Sequence, residues 1–214
     1  LTKPQRPLVA IVGGSKVSTK IDLLNNLIHK VDTLVVGGGM ANTFLLAQGF
    51  YIGASLAEHA LKDSALNILN SAEKAGCSIL LPTDVVVAKE LNVNVESFVV
   101  PVNECPEDTM ILDVGPQTVE RIKESLLNTE TLVWNGPLGA FEIGPFDRAT
   151  TDLANFVSKL SNNNKLVSIA GGGDTLAALK NAEASNGFSY LSTAGGAFLE
   201  WMEGKKLPGI TALQ

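Results

Sequence analysis

The chain has 214 residues, 45% of them apolar and 18% charged, with a formal net charge of −6; that is enough for one large domain around a sizeable core. The acidic balance argues against a general nucleic-acid binder, which presents a basic face. No apolar run approaches the roughly 20 residues that span a membrane, and no basic-then-apolar leader precedes the first elements.

In chain order, Pro4 and Pro7 in LTKPQRP disfavour a helix and predict an extended opening segment. Short apolar runs then recur: LVAIV (8–12), TLVVG (33–37), SILL (78–81), SFVVP (97–101), MILDV (110–114), TLVW (131–134) and LVSIA (166–170). Most lack polar–apolar alternation, as strands buried on both faces do. Helical faces separate many of them: Ile21, Leu24, Leu27 and Ile28, then Leu61, Ala65 and Leu69, then Leu153, Phe156, Val157 and Leu160. This alternation predicts an α/β fold, three-layered and Rossmann-like, with a mostly parallel central sheet and helices on both faces. Residues 82–110 break the rhythm and are expected to be strand-rich and partly antiparallel. LVVGGGMANTFL (34–45) and VSIAGGGDTLAA (167–178) echo each other as strand, triple glycine, helix. Cys77 and Cys105 have no metal-ligand spacing and are expected as free thiols in a reducing compartment.

Glycine clusters follow four apolar runs: Gly13-Gly14, Gly37-Gly38-Gly39, Gly171-Gly172-Gly173 and Gly195-Gly196. In a parallel sheet such strand ends share one edge, where open α/β folds bind ligands. Bare backbone admits a phosphate, and the helix that follows adds partial positive charge at its N-terminus. For any single cluster a tight turn is the simpler reading; four on one edge favour an anion site. Neither G-x-x-x-x-G-K-[ST] nor G-x-G-x-x-G occurs. The P-loop reading and that of a nicotinamide-dependent oxidoreductase therefore lose their main support.

In GGSKVSTKI (13–21), Lys16 and Lys20 are four apart and would share the face of a helical turn, with Ser18 or Thr19 capping the helix that follows. Two ammonium groups beside bare backbone suit a polyphosphate; ordinary solvated lysines are the alternative. Asp174 has two open roles, an N-cap or a carboxylate that holds Mg²⁺ against phosphates, and Thr175 offers a hydroxyl. In VWNGPLGAFE (133–142), Asn135-Gly136-Pro137 is a turn signal. The Leu-Gly-Ala-Phe patch suits a purine, with Glu142 accepting from ribose hydroxyls; a surface loop whose Phe141 packs into the core is the alternative. His29 and His59 are expected in helices, away from the strand ends.

Together GGSKVSTKI, VVGGGMANTF, ILDVGPQT, VWNGPLGAFE, AGGGDT and STAGGAFLE, in this order, resemble the phosphoglycerate kinase family over nearly the whole chain. The resemblance is to the C-terminal, nucleotide-binding half of that enzyme. It implies that residues 1–7 end the interdomain connection, or hinge, and that 8–214 form the nucleotide-binding domain. The N-terminal domain, which in the family carries the basic patch for 3-phosphoglycerate, is absent from this sequence. The implied reaction is reversible phosphoryl transfer between MgATP and 3-phospho-D-glycerate, giving ADP and 1,3-bisphosphoglycerate. The implied enzyme is monomeric and cytoplasmic, uses Mg²⁺, and has no nucleic-acid or membrane partner. By the same resemblance, Lys16 stabilises the phosphoryl group in flight, and Gly195 and Gly196 offer it N–H groups at a helix start. Lys20 and Gly14 belong to the nucleotide phosphate site, Asp174 positions Mg²⁺, Gly172, Gly173 and Thr175 contact the phosphate chain, and Asn135 lies near it. Gly37, Gly38, Pro137 and Ala140 line the base pocket, and Glu142 binds ribose. Two departures stand out: Ala194 replaces the first glycine of the family's Ser-Thr-Gly-Gly-Gly, and Ile111 stands where many members have a glycine beside the adenine. The attacking group in the family is an ionised carboxylate, so the reaction needs positioning and charge stabilisation rather than a general base. Alone, the chain is expected to bind nucleotide without turning over. A non-catalytic nucleotide-binding module on the same scaffold is the alternative.

Overall fold

The computed structural model describes residues 4–193 and Met202. Ala194, Gly195 and Gly196 of the sequence reading lie outside the described residues. In chain order the elements are β1 (Leu8–Val12), α1 (Ile21–Leu27), β2 (Thr33–Val36), α2 (Gly39–Ala47), α3 (Lys62–Ala75), β3 (Ser78–Leu80), β4 (Asp84–Ala88), β5 (Ser97–Pro101), β6 (Met110–Val114), α4 (Pro116–Leu126), β7 (Thr131–Asn135), α5 (Arg148–Asn162), β8 (Val167–Gly171), α6 (Gly173–Asn181) and β9 (Tyr190–Ser192).

The main sheet has the order β3-β2-β1-β7-β8-β9, and every pair in it is parallel. Successive side chains of a strand point to opposite faces, so a doubly covered strand must be apolar at every position. β1 meets this demand. Leu8, Ala10 and Val12 join one core with residues of α1, α2 and α3. Val9 and Ile11 join the other with Leu132 and Trp134 of β7 and residues of α4, α5 and α6. The three-layer α/β expectation is therefore met.

The helices form where apolar residues recur on one face. In α4, Val119, Ile122 and Leu126 are buried, and Pro116 opens the helix where its missing N–H costs nothing. In α5 the buried stripe is Ala149, Thr150, Leu153, Ala154 and Val157. α3 ends at Gly76, whose φ of 74° gives the left-handed turn that stops it.

The segment that broke the rhythm forms a separate three-stranded sheet, β5-β4-β6, antiparallel throughout. Val85 and Val87 of β4 pack with Leu45 of α2, Ile52, Val102 and Cys105 in a third core. Three sequence expectations need correction. SFVVP is not a doubly buried strand: it is an edge of the small sheet, with Phe98 and Val99 exposed. α1 ends at Leu27, so His29 lies beyond it, and His59 sits in a single 3₁₀ turn, His59–Leu61. Ser18 and Thr19 do not cap α1; the cap position is Lys20, with no side-chain bond.

The sheet order places β1 beside β7, while α1 leads away to β2 and α5 leads the other way to β8. That is a topological switch point, and the carboxyl ends of β1 and β7 leave a crevice there.

Candidate functional site at the strand ends

The turns after β1, β2 and β7 are locked into one another. The Gly13 N–H donates to the Asn135 carbonyl at 2.9 Å, Gly38 N–H to Leu138 at 2.7 Å, and Met40 N–H to Gly14 at 2.9 Å. A Cβ on Gly13 would overlap the Pro137 carbonyl, and one on Gly37 would stand 2.5 Å from Leu138 Cδ2. These glycines are bare because neighbouring backbone or a side chain already fills the space. Gly173 is different: among the described residues nothing lies within 4 Å of the position its Cβ would take. The internal echo has a structural counterpart. In each triple glycine the second residue, Gly38 (φ 68°) or Gly172 (φ 99°), takes a positive φ and caps the following helix.

A polar network ties the ends of β1, β7 and β8 together. Lys20 Nζ donates to the Gly13 carbonyl at 2.5 Å and to Asn135 Oδ1 at 2.7 Å. Asn135 Nδ2 donates to the Gly171 carbonyl at 2.8 Å. The Thr175 hydroxyl donates to the same carbonyl at 2.8 Å and accepts the Gly136 N–H at 2.7 Å. Burial pushes the Lys20 ammonium down to about 8, against the opposing pull of the Asp174 charge. The Asn135 amide and the Thr175 hydroxyl, expected near the phosphates, here hold strand ends together. Lys16 and Lys20 do not share the expected helical turn. Lys16 is exposed in the irregular loop before α1, and Lys20 is half-buried at the start of that helix.

Asp174 is the second residue of α6, exposed, and capping is not its role, since Gly172 occupies the cap position. Gly172 has no side chain to cap α6, and the first-turn N–H groups have no partner within the helix. Among the described residues no cluster of three or more His, Cys, Asp or Glu could hold a metal. A single exposed carboxylate suits a Mg²⁺ that arrives already bound to phosphates, because Mg²⁺ keeps waters and needs only one or two protein carboxylates.

Beside the strand ends lies a cleft of about 370 Å³. Of the expected residues it brings together Gly14, Gly38, Pro137, Ala140, Glu142 and Asp174. Gly37, Lys20, Asn135 and Thr175 instead pack under or between the neighbouring turns. Phe141 of the expected purine patch and Ile111, expected beside the adenine, also line it, and Leu56, Met110 and Leu112, which the sequence did not single out, complete the wall. Phe141 is buried and also lines the cleft, so its two readings are compatible. The wall is held from behind, with Ala140 N–H donating to Leu112 at 2.8 Å and Ile111 N–H to Ser55 Oγ at 2.8 Å. Met110, Ile111 and Leu112 are apolar yet only half-buried, which the sequence alone does not signal. Asp113 follows them, fully enclosed; burial drives its carboxyl well above the usual value, although the Ala149 and Val114 N–H groups oppose this.

Fold and cleft define an open parallel α/β domain of the kind that carries a small-molecule site at its strand ends. A family profile described as phosphoglycerate kinase matches residues 1–205. The chain is 60% identical over 214 residues to phosphoglycerate kinase of Chelativorans sp. (strain BNC1) and 59% identical to that of Rhizobium meliloti (strain 1021), covering all of this chain and 54% of each relative. Its backbone matches the structure of phosphoglycerate kinase from Coxiella burnetii with a TM-score of 0.94 at 50% identity, covering 100% of this chain and 54% of that one. For the enzyme from Pyrococcus horikoshii OT3 the TM-score is 0.75 at 26% identity, over 98% and 52% of the two chains. The chain belongs to the phosphoglycerate kinase family. It spans about half the length of the curated relatives it matches. Among the described residues no helix is long and apolar enough to cross a membrane.

Proposed function

We propose that the chain is the C-terminal, nucleotide-binding half of a two-domain phosphoglycerate kinase, with residues 1–7 ending the connection between the halves. The intact enzyme transfers a phosphoryl group reversibly between MgATP and 3-phospho-D-glycerate, and the missing half supplies the phosphoglycerate site. One observation carries the reading: a single cleft joins an apolar wall to a phosphate-type edge. Ile111, Leu112 and Phe141 with Pro137 and Ala140 suit a flat base, and Glu142 stands ready to accept from ribose hydroxyls. Asp174 and the start of α6, whose cap Gly172 has no side chain, mark the other end, where backbone N–H groups attract phosphate oxygens.

The acceptor carboxylate is already ionised at neutral pH, so this chain's task is to bind, align and stabilise charge. Glu142 and the apolar wall orient the nucleoside. The open face at Gly173 admits the phosphates. Lys16, exposed and in no ion pair among the described residues, offers its ammonium to the group in transit. Lys20 adds positive charge beneath the strand ends. Gly195 and Gly196 are proposed as further N–H donors. Mg²⁺, when bound, neutralises and orients the phosphates, with Asp174 as its protein carboxylate.

Calorimetry of this chain with MgADP tests the binding reading: saturable heat is expected, and no heat at millimolar nucleotide refutes it. The same chain is expected to make negligible bisphosphoglycerate. In the intact protein, Lys16→Ala should lower kcat by roughly 10²–10³-fold with nucleotide affinity mostly kept. Unchanged kcat would refute the role given to Lys16, and an intact protein that binds nucleotide without any turnover would favour the non-catalytic module.

A further inference from the structure

The loop that carries Lys16 has few ties of its own. Thr19 Oγ1 donates to the Lys16 carbonyl at 2.9 Å, Lys20 N–H donates to Val17 at 2.8 Å, and the Val17 side chain is buried in the core. Besides the bonds at Gly13, Gly14 and Lys20 already described, a further tie, on Ser18 between the two lysines, comes from far along the chain. Both carboxylate oxygens of Glu58 hold Ser18: the Ser18 N–H donates to Oε2 at 2.9 Å and its hydroxyl donates to Oε1 at 2.5 Å.

Glu58 is in turn fixed from α2. Its N–H donates to Thr43 Oγ1 at 3.0 Å, and Asn42 Nδ2 donates to the Leu56 carbonyl at 3.1 Å. Thr43 and Asn42 are both buried, and Leu56 lines the cleft. A chain of contacts thus runs from α2, which starts at the strand-end edge, through Leu56 and Glu58 to Ser18 and the Lys16 loop. Desolvation works against ionisation of Glu58, but the Ser18 hydroxyl, the Ser18 and Val17 N–H groups and the Lys16 charge outweigh it and hold the carboxyl below its usual value. Among the described residues Glu58 makes no ion pair with Lys16, so it fixes the loop without occupying the ammonium.

We infer that Glu58 is a positioning residue for phosphoryl transfer: by clamping Ser18 it sets where Lys16 stands against the cleft. The inference rests on the role proposed above for Lys16. A displacement of about 1 Å at a catalytic group costs on the order of 100-fold in rate, and freeing one of the loop's few anchors allows part of that displacement.

In the intact protein, Glu58→Ala is expected to lower kcat by roughly 10- to 100-fold, with KM for MgATP within about threefold and the melting temperature within a few degrees. Glu58→Gln keeps an acceptor for the Ser18 N–H and should recover most of the loss. Ser18→Ala added to Glu58→Ala should cost nothing more, because both remove one clamp. Wild-type kcat in Glu58→Ala overturns the inference. So does a rise in KM that accounts for the whole loss, or a Glu58→Gln enzyme as slow as Glu58→Ala, which would point to charge rather than geometry. If Glu58→Ala does not fold, Glu58→Leu, which keeps the bulk and removes both acceptors for Ser18, takes its place: a fall in kcat at unchanged KM supports the clamp, and wild-type kcat overturns it. Lys16→Ala run in parallel separates the two levels. An inactive wild type refutes the kinase reading itself, whereas an active wild type that needs Lys16 but not Glu58 refutes only the clamp.

Discussion

Gly38 and Gly173 occur in two similar triple-glycine turns, yet they answer to different demands. Gly38 sits at φ 68°, ψ −167°, a region open essentially to glycine alone. A Cβ there would lie 2.6 Å from the Gly14 carbonyl oxygen and 2.8 Å from its nitrogen, both backbone atoms that cannot swing aside. Backbone strain of about 1–3 kcal/mol and overpacking of similar size together make Gly38→Ala cost about 2–6 kcal/mol. For a chain of this size that lowers Tm by at least about 4 °C. Gly173, in the first turn of α6, has no described residue near its Cβ position. Gly173→Ala should therefore leave stability unchanged or raise it by about 0.4–1 kcal/mol, while a methyl group on the phosphate face weakens MgADP binding by about tenfold, or 1.4 kcal/mol. Scanning calorimetry on the apo chain and titration with MgADP read the two effects separately. If Gly38→Ala melts with the wild type, the crowding argument is wrong. If Gly173→Ala binds MgADP like the wild type, the phosphates do not approach over that face.

Lys20, with its pKa lowered to about 8 from 10.5, makes stability depend on pH. Below pH 8 the ammonium is charged in both states and the cost of burying it is constant. Between pH 8 and 10.5 the unfolded chain holds more protons, so this contribution to stability rises with pH. The difference in unfolding free energy between wild type and Lys20→Met should therefore grow from pH 8 to pH 10 in urea titrations, and parallel profiles would refute the assignment. Asn135→Ala removes the acceptor for Lys20 and the donor to Gly171, and should cost about 1–3 kcal/mol in apo stability even without nucleotide. Trp134→Phe opens a cavity at a fully buried side chain and also orphans the Gly136 carbonyl that the Trp134 Nε1–H reaches at 2.8 Å. The expected loss in chemical denaturation is at least about 1–3 kcal/mol, the cost of the orphaned carbonyl alone, and a neutral result would refute it.

The parallel sheet was legible because its strands are buried on both faces, and that condition leaves an unbroken apolar run that periodicity detects. β1 and β7 satisfy it at every position. β9, Tyr190–Ser192, gave no such signal: it is three residues long and lies at the sheet edge, with Tyr190 exposed. SFVVP looks like a doubly buried strand and is not one, because an apolar run records composition, whereas burial depends on whether a second layer is present. β5 has only β4 beside it in the small sheet. No local pattern in residues 97–101 carries that information.

At the site, spacing located the turns but not the direction of each side chain. Glycine after a strand signals that something comes close; it does not say whether that something is a ligand or another strand's backbone. Around Gly13, Gly37 and Gly38 it is protein. The same ambiguity covers Asn135 and Thr175, polar residues that a ligand site needs and that a junction of three strand ends also needs to satisfy its carbonyls. The two demands are coupled here. Lys20 is held by Gly13 and Asn135 while Asp174 acts on its charge from across the gap. An anion arriving at α6 would stabilise the charged ammonium and raise its pKa above 8. Binding of a phosphate ligand near pH 8 should therefore take up protons, and calorimetry in buffers of different ionisation enthalpy reads that uptake directly. Proton uptake that persists unchanged in Lys20→Met would place the titrating group elsewhere.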